Sequence, residues 1–139
     1  MFLFETQNTK AQSHQDVFQI NRKTTMAGKA IVDSAITVHK ELGPRLLESI
    51  YVKCFCLELI SRNISFELHK SVPVNYKNNV LENALFIDVL VENCIVVEFK
   101  SQDFFYPVWE AQVLSYLKLA KKRLGFILNL SCNLNERWD

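Results

Sequence analysis

The sequence of residues 86–100 is FIDVLVENCIVVEFK, and this stretch decides the fold. Two apolar runs stand on either side of the polar residues Glu92 and Asn93, which is the pattern of two strands joined by a tight turn. If residues 92–94 form a three-residue loop, Val91 pairs with Ile95. The stretch therefore predicts an antiparallel hairpin whose register is set by the length of its loop.

The register of this hairpin determines where three charged side chains lie. With a three-residue loop, Asp88 lies opposite Glu98, and Lys100 shares the face of Glu98 because side chains alternate along a strand. A two-residue loop would place Asp88 opposite Val97 and separate the two carboxylates. The three-residue loop also leaves an opposite face that is wholly apolar, formed by Leu85, Ile87, Val89, Val91, Ile95, Val97 and Phe99. We therefore expect Asp88, Glu98 and Lys100 to cluster.

The rest of the chain predicts an α/β domain. Residues 1–25 are mostly polar, and we expect a poorly ordered extension with at most a short helix near Val17, Phe18 and Ile20. Residues 26–139 form the domain. Periodicity predicts helices at about 27–42, 46–61 and 107–122, and strands at about 64–69, 72–76, 84–91, 94–100 and 123–130. This order predicts helices packed on a mixed sheet.

Composition excludes several classes of protein. The chain is 49% hydrophobic, which is enough to form one core. Its 139 residues leave no length for a second catalytic module. No run reaches the ~18–20 apolar residues of a membrane span, and residues 1–4 lack the features of a signal peptide. We expect a cytoplasmic protein with no membrane partner. A net charge of +1 excludes binding of nucleic acid by bulk charge alone.

Two groups of residues have simple structural interpretations. The cysteines, Cys54, Cys56, Cys94 and Cys132, form no C-x-x-C pair, so we expect free thiols without structural zinc. A basic cluster near the end of the third helix is either a nucleic-acid contact or a solvated helix end favoured by the helix dipole. This cluster consists of Lys118, Lys121, Lys122 and Arg123.

The charged cluster of the hairpin has chemical meaning because charges within strands are costly unless they are paired or bind a metal. Two carboxylates and an ammonium suit a hard divalent cation such as Mg²⁺, which takes oxygen ligands and keeps water. The alternative is an exposed hairpin face with an ordinary Glu–Lys pair.

Three motifs resemble those of a nuclease superfamily. Asp88 with Glu98-Phe-Lys100 resembles the D…(D/E)-x-K core of the PD-(D/E)xK nucleases. Residues 112–116, QVLSY, resemble the Q-x-x-x-Y motif of the RecB-like branch, and residues 38–51 resemble the signature of the small bacterial GxxExxY proteins. The resemblance implies a restriction-endonuclease-like core, a mixed sheet flanked by helices. It also implies hydrolysis of phosphodiester bonds in nucleic acid, expected to be DNA, with Mg²⁺ or Mn²⁺.

The resemblance also implies roles for individual residues. Asp88 and Glu98 match the metal-binding carboxylates, with the carbonyl of Phe99 as a further ligand. Lys100 matches the catalytic lysine, which positions the nucleophile or stabilises charge. Glu48 matches the motif glutamate, a further catalytic group and a metal or water ligand.

Four further residues have weaker implied roles, each with a structural alternative. His39 matches a histidine that is a metal ligand in some RecB-type enzymes, and the alternative is a packed core histidine. Gln112 and Tyr116 match the supporting helix motif, although a tyrosine at such a position is more often a core residue. Glu110 matches a family acid, but it also suits the positive end of its helix.

The sequence departs from the family pattern in two places. Arg45 stands where the GxxExxY motif has glycine, so either the loop differs or Arg45 contacts phosphate. Only Cys132 follows the QVLSY helix, so no iron–sulfur cluster is expected. The alternative functions are a catalytically inactive nucleic-acid-binding module and a protein-interaction domain, for example in a homodimer.

Overall fold

The computed structural model describes residues 2–5 and 22–131. The elements are β1 (Phe2–Glu5), α1 (Arg22–Leu42), α2 (Glu48–Ser61), β2 (Phe66–Tyr76), β3 (Asn79–Val91), β4 (Ile95–Lys100), α3 (Pro107–Ala120) and β5 (Leu124–Asn129). The sheet has the strand order β1-β5-β4-β3-β2, in which β4 and β5 are parallel and the other neighbours are antiparallel. The expected mixed sheet flanked by helices is therefore confirmed.

The sheet separates two apolar cores. On one face, residues of α1 and α2 pack against the odd-numbered residues of β4, and this core includes Ile31, Tyr51, Phe55, Leu59, Val97 and Phe99. On the other face, α3 packs over a smaller core that includes Ile87, Leu90, Val96, Val113, Leu117 and Ile127. Because both faces of β4 and β5 are covered, these strands are almost continuously apolar.

The three-residue loop of the β3–β4 hairpin is confirmed. Val91 pairs with Ile95, and Glu92 and Asn93 both have positive φ. The main-chain N–H of Cys94 donates to the carbonyl of Val91 at 3.0 Å, which closes the turn. The register that places Asp88 across from Glu98 therefore follows.

The prediction of one continuous apolar face was wrong at the start of β3. Ile87 and Leu85 belong to the core under α3, whereas Val89 belongs to the core under α1 and α2. The alternation breaks at position 88, opposite His69 of β2, which has φ of +50°. A left-handed residue in one strand disturbs the pleat of its partner strand. Ile87 and Val89, which would share a face in a regular strand, therefore face opposite sides of the sheet.

Several element bounds also differ from the predicted ones. Residues 64–69 and 72–76 contribute to a single strand, β2, and β3 begins at Asn79 rather than near residue 84. The part of β3 that precedes Val89 pairs with β2 as far as the turn at 77–78. Most of this part of the β2–β3 hairpin is exposed. An exposed two-stranded ribbon is held by main-chain bonds and does not need apolar alternation, so periodicity could not detect it.

Part of the N-terminal extension also has regular structure. Phe2–Glu5 forms the edge strand β1 against β5, and α1 begins at Arg22, five residues before the predicted start. The helix expected near Val17, Phe18 and Ile20 lies outside the described residues. The predicted boundary near residue 25 stays a prediction.

The loop between α1 and α2 is held by Tyr51, which is fully buried. The Tyr51 hydroxyl donates to the carbonyl of Gly43 at 2.5 Å and accepts from the N–H of Leu46 at 3.1 Å. Between these contacts Arg45 has φ of +69°, the left-handed conformation that glycine adopts without strain. The loop therefore keeps a backbone suited to the motif glycine although it carries arginine, and this backbone leads directly to Glu48.

The basic cluster lies at the end of the sheet opposite to Lys100. The Nζ atom of Lys122 donates to Asn93 Oδ1 in the β3–β4 turn at 3.3 Å, and Lys118 lies in the last turn of α3. A strand the length of β4 separates this end from Lys100 by roughly 20 Å. This placement agrees with a solvated helix end.

Two compositional expectations can be compared with the described residues. Cys54, Cys56 and Cys94 are free thiols, and Cys132 lies outside those residues. None of the helices within 22–131 combines the length and hydropathy needed to cross a membrane.

Gly125→Ala is expected to destabilise the protein by about 1–3 kcal/mol, because overpacking a core has this cost. A Cβ atom at Gly125 would lie 2.9 Å from Val113 Cγ1, where β5 approaches α3. The matched control is Gly28→Ala in α1, where the nearest atom would be at 4.0 Å and better helix propensity favours alanine. Urea unfolding of both variants checks the prediction, which fails if Gly125→Ala is as stable as the wild type.

Arg45→Gly is expected to stabilise the protein by about 0.5–1 kcal/mol, because relief of a left-handed residue exceeds the added entropy of the unfolded chain. The control is Lys40→Gly in the exposed part of α1, which should cost about 1 kcal/mol. Thermal unfolding of the two variants gives the comparison. Destabilisation by Arg45→Gly would show that the arginine side chain holds this loop.

Candidate active site

Asp88 and Glu98 face each other at the point where the β3–β4 ladder ends. The last main-chain pair joins Val89 and Val97, and at the next step the two carboxylates take over. The N–H of Asp88 donates to Glu98 Oε1 at 3.2 Å, and the N–H of Phe99 donates to Asp88 Oδ2 at 3.0 Å. Each acid is thus fixed by the main chain of the neighbouring strand, which brings the two acids together as the register predicted.

The pair is electrostatically unfavourable without a cation. Glu98 is 3% exposed. Burial, followed by the negative charge of Asp88, raises the pKa of Glu98 to about 9, and Lys100 only partly opposes this rise. A divalent cation next to these oxygens would lower the pKa of Glu98, because a bound ion favours the charged form of its ligands.

Lys100 is held by two residues of the predicted helix motif. Its Nζ donates to Gln112 Oε1 at 3.2 Å, and Gln112 Nε2 donates to the hydroxyl of Tyr116 at 2.8 Å. Tyr116 is buried. These two hydrogen bonds orient the Gln112 amide so that its oxygen faces Lys100. The Lys100 ammonium is therefore kept on the side of the sheet that carries Glu98.

Trp109, which the sequence analysis did not single out, also contacts Lys100. The Lys100 Nζ lies 5.7 Å from the centre of the Trp109 ring, within the range of a cation–π interaction. Trp109 and Gln112 are three residues apart and therefore share a face of α3, but this spacing alone does not show that the face lies over Lys100.

The segment between β4 and α3 is held by hydrogen bonds to β5 and to the α1–α2 loop. Asn129, at the end of β5, accepts from the N–H of Gln102 at 3.2 Å and donates to its carbonyl at 2.9 Å. The Ser101 hydroxyl donates to the carbonyl of Leu46 in the α1–α2 loop at 3.1 Å. These contacts fix the start of α3, and therefore Gln112, relative to Lys100.

Glu48, the first residue of α2, approaches the same site from the other side. Partial burial of its carboxyl group and the charge of Asp88 raise the pKa of Glu48, whereas Lys100 lowers it. Glu48 and Asp88 line a groove of about 380 Å³, together with Lys53 and His69. The residue remains largely accessible, so its carboxylate is free to contact a ligand.

The remaining predicted site residues are placed less directly. His39 is 2% exposed in the last turn of α1 and does not line the groove. Glu110 is exposed in the first turn of α3. The ring of Phe99 packs edge-on against Phe55 in the core, with centroids 5.0 Å apart, so the ring is not available to a ligand. The roles of these three residues stay predictions.

The oxygen donors of the site suit a hard divalent cation. Within residues 22–131, no group of three or more His, Cys, Asp or Glu side chains is assembled as a metal cage. Mg²⁺ does not need such a cage, because it is commonly held by one or two carboxylates and keeps several waters. Asp88 and Glu98 supply two facing carboxylates, so the residues fit this ion.

The Glu98→Gln substitution tests the electrostatic cost of the pair. Since the folded pKa of Glu98 is raised, its contribution to stability is present below about pH 4.5 and is lost as the pH rises through about 9. Without metal, the wild type should therefore lose stability as the pH rises between these values, and Glu98→Gln should lose less. At pH 8 we expect the variant to be more stable by over about 1 kcal/mol, since one pKa unit corresponds to about 1.4 kcal/mol.

Thermal unfolding in EDTA at pH 5, 6.5 and 8 provides the measurement. The control is Glu110→Gln, an exposed acid in the first turn of α3. Equal pH profiles for the wild type and Glu98→Gln would contradict the raised pKa.

The family of the chain follows from comparison with known proteins. A family model described as the PD-(D/E)XK nuclease superfamily matches residues 25–139. No curated protein and no solved structure gives a significant match. The matched range covers most of the chain and contains both hairpin carboxylates, the lysine and the α2 glutamate. The chain therefore belongs to the PD-(D/E)XK nuclease superfamily.

Proposed function

We propose that this domain is a nuclease that hydrolyses phosphodiester bonds in nucleic acid, with DNA as the expected substrate and Mg²⁺ or Mn²⁺ as the cofactor. The observation that carries the proposal is the paired arrangement of Asp88 and Glu98 beside an oriented Lys100. Membership of the superfamily supports the reaction class. The metal and the choice of DNA rest on the donor chemistry and on the family resemblance.

Asp88 and Glu98 would hold the ion, with the main-chain carbonyl of Phe99 as a further ligand. Glu48 is the next candidate ligand, because its carboxylate interacts electrostatically with both Asp88 and Lys100. His39 remains a candidate from the resemblance alone. When bound, a divalent ion lowers the pKa of water and screens the charge that develops on phosphate oxygens.

The protein's own residues perform the rest of the chemistry. Lys100 presents an ammonium that can orient the attacking water or stabilise charge on the phosphate oxygens. Gln112 and Tyr116 keep that ammonium in place, so they act through Lys100. Glu48, whose pKa is raised by partial burial and by Asp88, lines the groove beside Asp88, where its carboxylate can accept a hydrogen bond from the attacking water.

We also propose that the chain lies in the RecB-like branch, among the GxxExxY proteins. Its support is the E-x-x-Y half of that motif, Glu48 and Tyr51. Tyr51 clasps the loop before α2, and Glu48 is the first residue of that helix. The same loop retains a left-handed backbone at Arg45, the position of the motif glycine.

The direct test is cleavage of single-stranded and duplex DNA, and of RNA, with Mg²⁺, Mn²⁺ or EDTA. We expect metal-dependent cleavage that falls at least about 100-fold in Asp88→Asn and in Lys100→Met, the scale for loss of one group that stabilises the transition state. Lys121→Met, in the basic cluster at the far end of the sheet, is the control and should retain activity.

Two outcomes would contradict the proposal. Cleavage that persists in EDTA, or in both active-site variants, would place the reaction elsewhere or in a contaminant. Absence of cleavage together with absence of Mn²⁺ binding by calorimetry would favour an inactive nucleic-acid-binding or protein-interaction module.

A further inference from the structure

We propose that His69 and Phe86 form a stacking platform for an unpaired nucleobase beside the carboxylate site, so that the substrate class is single-stranded nucleic acid. The inference rests on the proposed nuclease function for the identity of the ligand. It goes further because it assigns a recognition role to two residues that contribute nothing to the proposed chemistry.

The platform is visible as a pair of stacked rings on the surface. The centroids of His69 and Phe86 are 5.2 Å apart, and their planes differ by 26°. Phe86 is 42% exposed, and His69 is also exposed. A solvent-exposed stack of two rings offers an outer π-face, and a nucleobase of any sequence can stack on such a face.

The backbone places this platform directly beside Asp88. In the β2–β3 ladder, Leu68 pairs with Val89 and Lys70 pairs with Ile87, so His69 lies opposite Asp88 without forming a ladder pair. His69 has φ of +50°, which is uncommon for a residue with a side chain. Strained residues of this kind concentrate at functional sites, and here the strain sits across the hairpin from a proposed metal ligand.

The groove beside the platform suits a nucleotide. Its volume is about 380 Å³, and its lining includes His69, Asp88 and Glu48. Lys53, an exposed residue of α2, also lines the groove and supplies a positive charge for a backbone phosphate. Leu68 adds apolar surface and is 51% exposed. An aromatic and apolar wall, a nearby cation and an adjoining acid pair together match a base, its phosphate and the reacting centre.

The stacking requirement favours a single strand over a duplex. In a duplex each base is stacked on its neighbours, so a base reaches a protein ring only after unstacking or flipping, which costs a few kcal/mol. An unpaired strand presents its bases without that cost. The platform therefore predicts that the protein binds single strands more tightly than duplexes, before any bond is cleaved.

Binding of a single-stranded oligonucleotide containing 2-aminopurine, measured in EDTA so that the proposed metal-dependent cleavage does not occur, tests the platform. We expect quenching of the base fluorescence by the wild type. His69→Asn removes the ring but keeps a residue that tolerates the left-handed backbone, and Phe86→Leu keeps an apolar side chain without a ring. Each should weaken single-strand affinity by about 5- to 100-fold, the range for one stacked base, and should change duplex affinity less than twofold.

Two further variants make the test specific. His69→Tyr keeps an aromatic ring and should restore quenching. Leu57→Ala, at an exposed position in the second half of α2, should behave as the wild type. Melting temperatures of all variants show whether each is folded.

The inference is overturned if the wild type does not bind the single strand, if binding causes no quenching, or if His69→Asn and Phe86→Leu bind as the wild type does. An equal loss of single-strand and duplex affinity also overturns it, because that pattern reflects general damage to the site. The cleavage assay tests the nuclease function independently of this binding experiment. A protein that quenches through His69 but never cleaves retains the platform and loses the catalytic proposal.

Discussion

The structure depends on the way in which Asp88 and Glu98 replace the main-chain ladder where β3 and β4 separate. In most hairpins the ladder ends at a turn or in solvent, whereas here each carboxylate accepts a main-chain N–H of the other strand. The two bonds keep the strands in register and hold two carboxyl groups close together. Because burial and Asp88 raise the pKa of Glu98 to about 9, Glu98 keeps its proton at neutral pH until a cation binds.

Two helices, α2 and α3, converge on this point because each is anchored near it. The fully buried Tyr51 clasps the loop before α2 and so sets the position of Glu48. Asn129 clamps the segment that leads into α3, which brings Gln112 to Lys100. The groups with chemistry are therefore carried by helices and strands with buried anchors, which favours a site with fixed geometry.

The sequence was sufficient to predict the centre of the site because that prediction depended on local geometry. A three-residue loop and two apolar strands fixed the facing of Asp88 and Glu98 within fifteen residues of chain. The four-residue spacing of Gln112 and Tyr116 places them on one helix face, and the hydrogen bond between them agrees with that spacing. The catalytic and metal roles of these residues stay predictions.

Features that depend on distant partners could not be predicted in the same way. The change of face at position 88 arises beside the left-handed His69 on another strand, and nothing within β3 signals it. The edge strand Phe2–Glu5 is paired with β5, more than a hundred residues away along the chain. The contact of Trp109 with Lys100 also needed the sheet to bring α3 over β4.

The central question is whether a divalent ion displaces the proton that Glu98 keeps beside Asp88. Titration calorimetry of Mn²⁺ at pH 7.5, in buffers with different ionisation enthalpies, gives the number of protons released on binding. Because burial and Asp88 raise the pKa of Glu98 to about 9, we expect the wild type to release a proton from Glu98 when Mn²⁺ binds, and Glu98→Gln to release fewer protons. Absence of Mn²⁺ binding by the wild type, or binding without proton release, would contradict this expectation.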